Sequence, residues 1–244
     1  MAAEDGTGPG GVRADAVRVS GLRFRYAGSE PWVVDVRELV VRAGERVLVT
    51  APSGAGKSTL LHLLAGVLDP TEGSIAIDGT DLSSVRGAKR DALRGQRIGM
   101  VFQTFHLLPG FTAGENVALA LSFGIGEQGT GAQRSRVSEL LGRLGVGELA
   151  ERPVDELSVG QQQRVAVARA LACRPAVVLA DEPTASLDPE NADRATELML
   201  EACAADRAAL ICVSHDPAMR ERFERAGGGC LDDVFSVETA GVKS

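Results

Sequence analysis

The first part of the chain alternates apolar and polar positions with a period of two, which predicts β-strands. Residues 33–41 add a β-branched run, and Gly28 and Pro31 mark a turn between this run and residues 16–26. A small antiparallel sheet is therefore predicted. The apolar positions of its first strand are Val17, Val19, Leu22, Phe24 and Tyr26.

Short apolar runs further along the chain alternate with helical patterns. Residues 45–50 form such a run, which leads through a glycine-rich turn into a helix that begins at Lys57 and is apolar on most sides. Asp188 and Pro189 have the residue types preferred at a helix N-cap and first turn. Strands that alternate with helices are typical of an α/β fold with a parallel sheet. The other predicted strands are residues 74–77, 97–102, 177–180 and 209–213.

Residues 104–164 differ because helical patterns follow one another without an intervening strand. A helix is predicted near residues 114–121, followed by a glycine-rich loop over residues 124–131 and an amphipathic helix. We interpret residues 104–164 as an inserted helical subdomain. Residues 15–103 and 165–230 then form the core, which includes the antiparallel sheet. The apolar face of the amphipathic helix consists of Val137, Leu140, Leu141 and Leu144.

The two ends of the chain carry little pattern. Residues 1–14 are rich in Ala, Gly and acidic residues and lack the features of a signal peptide, so a disordered tail is expected. Residues 231–244 form a second, weakly patterned tail. No apolar run approaches the roughly 20 residues of a membrane-spanning helix. Any action at a membrane is therefore expected to be peripheral.

Charge and cysteine content narrow the function classes. The 244 residues carry a net charge of −7, which offers no basic surface for duplex nucleic acid, so no nucleic-acid partner is expected. The four cysteines lack the spacing of a zinc site and are expected to be reduced thiols in a cytosolic setting. Because the net charge is negative, any binding of phosphate groups would depend on local backbone N–H groups and a few cations.

The clearest chemical motif follows the strand at residues 45–50. Residues 51–58 match the phosphate-loop pattern, with Ala51 in place of the usual first Gly. Backbone N–H groups at the next helix N-terminus can converge on a β-phosphate, Lys57 can bridge the β- and γ-phosphates, and Ser58 can ligate Mg²⁺. A positive φ at Ala51 would cost about 1–2 kcal/mol. The candidate nucleotide-binding residues here are Ser53, Gly54, Ala55, Gly56, Lys57, Ser58 and Thr59.

Two adjacent acids, Asp181 and Glu182, end the apolar run at residues 177–180. Asp181 can hold Mg²⁺, and Glu182 can polarise a water for in-line attack on a γ-phosphate. Without a phosphate loop, two solvated acids capping a strand would be the better interpretation. Because the chain has such a loop, the catalytic interpretation is favoured.

With these motifs, the sequence resembles the nucleotide-binding subunits of ATP-binding-cassette (ABC) transporters over about residues 16–219. Ser158-Val159-Gly160-Gln161 is similar to the family's signature Ser-Gly-Gly-Gln, with Val159 in place of the first Gly. The resemblance implies that Ser158, Gly160 and Gln161 serve the γ-phosphate of ATP bound to the opposite subunit. It also implies a RecA-like phosphate-loop core with an N-terminal antiparallel β subdomain and an inserted α-helical subdomain.

Three further residues take roles from the resemblance. Gln103 matches the glutamine that links the metal site to the transmembrane partner, which assigns it to both catalysis and Mg²⁺ binding. His215 in Val-Ser-His-Asp matches the switch histidine aimed at the γ-phosphate. Tyr26 falls where the family stacks an aromatic ring on adenine. Trp32 and Phe24 compete for that role, and burial in the core is the structural alternative for these aromatic residues.

The segment after Gln103 resembles the branch of the family that serves lipoprotein release, macrolide export and mechanical permeases. Phe105, Leu107, Leu108 and Phe111 give an apolar patch in this segment. Two interpretations stay open: the patch receives a helix of a permease, or it is buried inside the helical subdomain.

The resemblance thus implies an ATP hydrolase that uses ATP and Mg²⁺. It implies a head-to-tail pair with a second copy of the chain and a separate transmembrane permease, served from the cytoplasmic face of the membrane. Two alternatives stay open. One is a non-transporting cassette that is a scaffold or signalling partner of a membrane protein. The other is a soluble ABC ATPase of DNA repair or translation, although the second cassette, long coiled coil or zinc cysteines of that class are not visible.

Overall fold

The computed structural model describes residues 14–52, 54–125, 130–225 and 227–231. The strands are β1 (Asp15–Phe24), β2 (Val34–Arg42), β3 (Arg46–Thr50), β4 (Glu72–Ile77), β5 (Thr80–Asp81), β6 (Ile98–Val101), β7 (Val177–Asp181), β8 (Ala209–Ser214) and β9 (Gly229–Leu231). The α-helices are α1 (Lys57–Leu64), α2 (Ala88–Arg97), α3 (Ala113–Ile125), α4 (Thr130–Arg143), α5 (Val159–Leu171), α6 (Pro189–Ala205) and α7 (Pro217–Arg225).

The N-terminal strands form the predicted antiparallel sheet, in the order β2-β1-β4-β5. Along β1, the buried Val17 and Val19 alternate with the exposed Arg18 and Ser20, because successive side chains of a strand point to opposite faces. Val17 pairs with Ile77 of β4, and both side chains are fully buried. One face of this sheet therefore packs on the protein interior.

The second sheet is parallel, in the order β6-β7-β8-β3-β9. Every residue of β8 is buried, which explains its continuous apolar run, since helices cover both faces of such a sheet. The edge strand β9 was not predicted from the sequence, because it has three residues and follows a run of glycines. Leu231, which the sequence analysis placed in the C-terminal tail, is its last residue and pairs with Val49.

The helical segment differs from the prediction at its glycines. The predicted loop over residues 124–131 overlaps both the end of α3 and the start of α4, while residues 126–129 lie outside the described residues. Gly124 is helical and lies so close to α2 that a Cβ atom would be 2.5 Å from the Gly95 carbonyl oxygen. This glycine therefore permits close helix packing instead of marking a loop.

An ion-pair network joins α4 to the C-terminal ends of α5 and α6. The buried Arg136 pairs with Asp206 and donates a hydrogen bond to Leu171 O over 2.8 Å. Arg143 donates to the other Asp206 oxygen over 2.8 Å. Burial alone would raise the pKa of Asp206, but its hydrogen bonds to the two arginines outweigh this effect and lower the pKa below its ordinary value. The network fixes the position of α4.

The predicted boundary between residues 164 and 165 falls inside the continuous helix α5. The division into a core and a helical subdomain therefore stays a proposal, with α5 as the element common to both parts. Within the described ranges, no helix is both long and apolar enough to cross a membrane.

Candidate functional site

A cleft of about 470 Å³ opens at the carboxyl ends of the parallel strands. Ligand sites of open α/β sheets lie at this edge, because the loops that follow the strands converge there. The cleft brings together most of the predicted nucleotide and metal residues. Its lining consists of Tyr26, Val33, Gly54, Gly56, Lys57, Ser58, Thr59, Gln103, Asp181, Glu182 and His215.

The phosphate loop connects β3 to the N-terminus of α1. Gly56 caps α1 with φ of 90°, and a Cβ atom there would lie 2.4 Å from Val33 O, so the backbone passes where no side chain fits. Ala51 does not have a positive φ, so the predicted strain does not arise. Ser53 lies outside the described residues. The loop has the close-fitting backbone that a phosphate cradle requires.

Lys57 is buried within the loop that it follows. Its ammonium group donates hydrogen bonds to Ala51 O over 2.9 Å and to Pro52 O over 3.0 Å. The same nitrogen lies 3.8 Å from Glu182 Oε1. The ammonium group of Lys57 is therefore held between the phosphate loop and the carboxylate of Glu182. In this position it can bind a phosphate group.

Glu182 is held by both its backbone and its carboxylate. Its φ of 46° is unusual for a residue with a side chain, and its N–H donates to Val213 O over 3.0 Å. His215 Nδ1 lies 2.6 Å from Oε1, and the Ser214 hydroxyl donates to Oε2 over 3.1 Å. Sequence reasoning missed Ser214. Its position next to His215 at a strand end was the available signal.

The residues predicted to hold Mg²⁺, Ser58, Gln103 and Asp181, line the same cleft. They supply a hydroxyl, an amide carbonyl and a carboxylate, which are the oxygen donors that this hard cation prefers. The donor set of the cleft therefore fits Mg²⁺.

Of the three candidates for adenine stacking, Tyr26 has the suitable position. This residue is 49% exposed and lines the cleft, and its hydroxyl lies 3.2 Å from Thr59 Oγ1. Phe24 is buried and packs edge-on against Tyr26, with ring centroids 4.9 Å apart. The Trp32 ring is covered by the Arg25 guanidinium, whose central carbon is 4.8 Å from its centroid. Only the Tyr26 ring of these three borders the cleft.

The signature residues do not line this cleft. Ser158 is the N-cap of α5: its hydroxyl accepts from Gln161 N over 3.3 Å, while Gln161 Oε1 accepts from Ser158 N over 2.9 Å. Val159 is 46% exposed at the first position of the helix. Ser158, Gly160 and Gln161 therefore lie outside the cleft that Lys57 lines.

A groove of about 630 Å³ lies between α2, α3, α5 and the segment after β6. Phe123, 78% exposed, lines it together with Phe102 and His106. Within the predicted apolar patch, Phe105 is buried, as the second interpretation had it, and Leu107 packs against the core. Leu108 and Phe111 are exposed but do not line the groove, and lie elsewhere on the surface.

A family model described as "ABC transporter" matches residues 35–185. The chain is 44% identical over 211 residues, 86% of each chain, to a lipoprotein-releasing system ATP-binding protein LolD of Xanthomonas axonopodis pv. citri. It is 43% identical over 188 residues, 77% of this chain and 82% of the relative, to LolD of Pseudomonas fluorescens.

Solved structures show the same fold. One is a dimeric structure of a post-hydrolysis state of the ATP-binding cassette MJ0796, bound to ADP and Pi, which is 33% identical in sequence to this chain and has a TM-score of 0.73. The match covers 84% of this chain and 90% of that chain. A second dimeric structure of MJ0796, described as a bacterial ABC transporter cassette, is 31% identical, with a TM-score of 0.74 and coverage of 89% and 95%.

These matches confirm the resemblance and the fold class that the sequence predicted. They also confirm the class of activity, ATP hydrolysis, and the kind of assembly, in which such subunits pair and act with a membrane permease. The chain therefore belongs to the ABC transporter family, as one of its ATP-binding and ATP-hydrolysing subunits.

Proposed function

We propose that two copies of this chain close head-to-tail on two ATP molecules. Each composite site takes the phosphate loop and the two acids from one copy and Ser158, Gly160 and Gln161 from the other. The main support is the division of the polar groups: Lys57 and Glu182 line the cleft, whereas Ser158 caps α5 and does not line it. The dimeric state described for MJ0796 agrees with this arrangement.

The residues predicted to bind the nucleotide have separate roles in this proposal. Tyr26 stacks on the adenine ring, and Lys57 neutralises the β- and γ-phosphates beside the N–H groups of the phosphate loop. Glu182 accepts the proton of the attacking water, and His215 contacts the γ-phosphate. The roles of the loop residues Ser53, Gly54, Ala55, Gly56 and Thr59 are backbone or side-chain contacts to the phosphates.

The cation belongs to the same site. Ser58, Gln103 and Asp181 would hold Mg²⁺, which supplies positive charge to the phosphate oxygens when bound. Gln103 is exposed at the exit of β6, close in sequence to the groove residue Phe102. In this proposal, Gln103 connects the metal site to the groove.

We propose that the permease docks at this groove and that the subunit is cytoplasmic, peripheral on the inner face of the membrane. The exposed Phe123 and the ring pair of Phe102 and His106, with centroids 4.6 Å apart, offer an aromatic surface for an inserted helix. The names of the LolD relatives support a role in lipoprotein release or a related mechanical process. Transported substrate and direction depend on the permease.

Glu182→Gln tests the proposal. The amide cannot accept a proton, so turnover should fall at least about 10²-fold, while ATP binding persists and traps a dimer. Size-exclusion chromatography with ATP, together with phosphate release, measures both effects. Lys57→Ala should instead lose micromolar nucleotide binding and stay monomeric.

Glu197→Gln is the matched control, because this acid is exposed on α6 and does not line the cleft. It should leave turnover unchanged. A Glu182→Gln protein that remains monomeric and hydrolyses ATP at the wild-type rate would contradict the proposal.

A further inference from the structure

The hydroxyl of Ser214, the last residue of β8, is buried beside the cleft and has a defined orientation. Ser214 is 2% exposed. Its oxygen accepts a hydrogen bond from Asp216 N over 3.1 Å, and an N–H group can only donate. The oxygen also lies 3.1 Å from Glu182 Oε2, and a carboxylate oxygen can only accept. The single hydroxyl proton is therefore directed at Glu182.

The peptide that orients Ser214 is fixed in turn. Asp216 Oδ1 accepts from Ala218 N over 2.9 Å, at the start of α7. Its other oxygen lies 3.4 Å from the guanidinium of Arg222, a buried residue that also pairs with Asp193 of α6. Two helices thus hold the turn after β8, so the Asp216 N–H keeps its direction.

The two oxygens of Glu182 contact different groups. Oε1 faces His215, whose side chain is 61% exposed, and the ammonium group of Lys57. In the proposed function both of these groups turn to the γ-phosphate. Ser214 is the last residue of a buried strand, and its contact with Oε2 involves neither of them.

We propose that Ser214 is a positioning residue for the general base. Its hydroxyl holds Oε2 and sets the rotation of the carboxylate, so that Oε1 points into the cleft toward the attacking water. The proton of the water goes to Oε1, and Ser214 exchanges no proton. This inference rests on the proposed role of Glu182 in ATP hydrolysis.

Ser214→Ala removes the hydroxyl with little change in volume. Because the hydroxyl contacts the base and not the nucleotide, kcat should fall about 10- to 100-fold, while KM for ATP stays within about twofold. Ser214→Thr restores a hydroxyl at the same position and should bring kcat back to within about threefold of the wild type.

Thr196→Val is the matched control, because Thr196 is also fully buried, and its hydroxyl donates to Ala192 O on α6. This variant should keep kcat even if its melting temperature falls. Ser214→Ala with a kcat within twofold of the wild type, or with a loss no larger than that of Thr196→Val at the same fraction folded, overturns the inference. If Ser214→Thr folds poorly, the comparison of Ser214→Ala with Thr196→Val is sufficient to test the inference.

A double variant separates the inference from the proposed function. If Ser214 acts through Glu182, then Ser214→Ala should not lower the residual single-turnover rate of Glu182→Gln further. A full additional loss in the double variant would assign Ser214 another role and overturn the inference. If Glu182→Gln itself hydrolyses ATP normally, the proposed function fails, whatever Ser214→Ala does.

Discussion

The two surfaces assigned to ATP are arranged in opposite ways. In the cleft, charged groups from distant parts of the sequence face one another, with Lys57 between the phosphate loop and Glu182. On the signature surface, the polar groups of Ser158 and Gln161 satisfy each other within one helical turn. In the proposed function, the first surface binds a nucleotide phosphate by itself, and the second contributes only when another copy brings a phosphate to it.

Replacing one glycine by alanine on each surface tests this comparison. Gly56→Ala should disrupt the cleft within one chain, because φ is 90° and the new Cβ atom would lie 2.4 Å from Val33 O. Gly160 has no positive φ, and a Cβ atom there would lie 3.7 Å from Asn191 Oδ1, an ordinary contact. Gly160→Ala should therefore fold normally and bind ATP normally as a monomer.

The effect of Gly160→Ala should appear only when two chains meet. Its methyl group would occupy the space needed by the phosphate of the second copy, and hydrolysis should fall about 10²- to 10³-fold. Nucleotide affinity measured on dilute monomers, and phosphate release measured at high protein concentration, separate the two variants. If Gly160→Ala weakens ATP binding in the monomer as much as Gly56→Ala does, the two surfaces belong to one site and the comparison is wrong.

The position of the helical segment gives the second prediction. Asp206 is 4% exposed in its side chain and pairs with Arg136 and Arg143. Asp206→Asn removes a buried charge partner and should lower the free energy of unfolding by about 3 kcal/mol at pH 7. Denaturant unfolding measures this change. ATP affinity should stay unchanged, since none of these residues lines the cleft.

The ion pairs of Asp206 with the two arginines also predict that stability depends on pH. The folded pKa of Asp206 lies below its unfolded value of about 3.9, so its stabilisation is present above about pH 4 and is lost as the pH falls through the folded pKa. The difference between the wild type and Asp206→Asn should therefore shrink as the pH falls below about 4. Glu139→Gln, in the same network but 43% exposed, should change stability by less than about 1 kcal/mol. Equal losses in both variants would show that burial of Asp206 is not the cause.

Local patterns were enough to predict the antiparallel sheet, the phosphate loop and the N-cap at Asp188, because each depends on neighbouring residues. The pattern Ser158-x-x-Gln161 also contained its capping box, although the sequence analysis gave these residues only a phosphate role. Contacts between distant residues could not be predicted in this way. Ser214 and Glu182 are 32 positions apart, and the contact of Gly124 with Gly95 explains why this helical position has no side chain.

The same limit explains why the aromatic residue exposed in the groove could not be predicted. Phe105 and Phe123 are both aromatic residues of the helical segment, but Phe105 is 5% exposed and Phe123 is 78% exposed. Residue type and spacing do not distinguish them, because burial is decided by the packing of the surrounding helices. The sequence therefore indicated aromatic and apolar residues in this segment without distinguishing the buried side chains from the exposed ones.

The smallest expected effect concerns Val159, the departure from the family signature. This residue is 46% exposed at the first position of α5, next to Ser158 and Gly160, so it contributes little to the core of the monomer. In a closed pair, its branched side chain would crowd the phosphate that approaches these two residues.

Val159→Gly should relieve this crowding. The ATP concentration at which half of the chains form dimers should fall by about threefold, equivalent to about 0.6 kcal/mol. The Glu182→Gln background, in which hydrolysis does not open the pair, is the suitable protein for sedimentation measurements at a series of ATP concentrations. Val159→Ala should give an intermediate shift, because it removes only the branch. A weaker dimer in both variants would show that the Val159 side chain contacts the second copy favourably, so that the signature surface does more than present Ser158 and Gly160 to a phosphate.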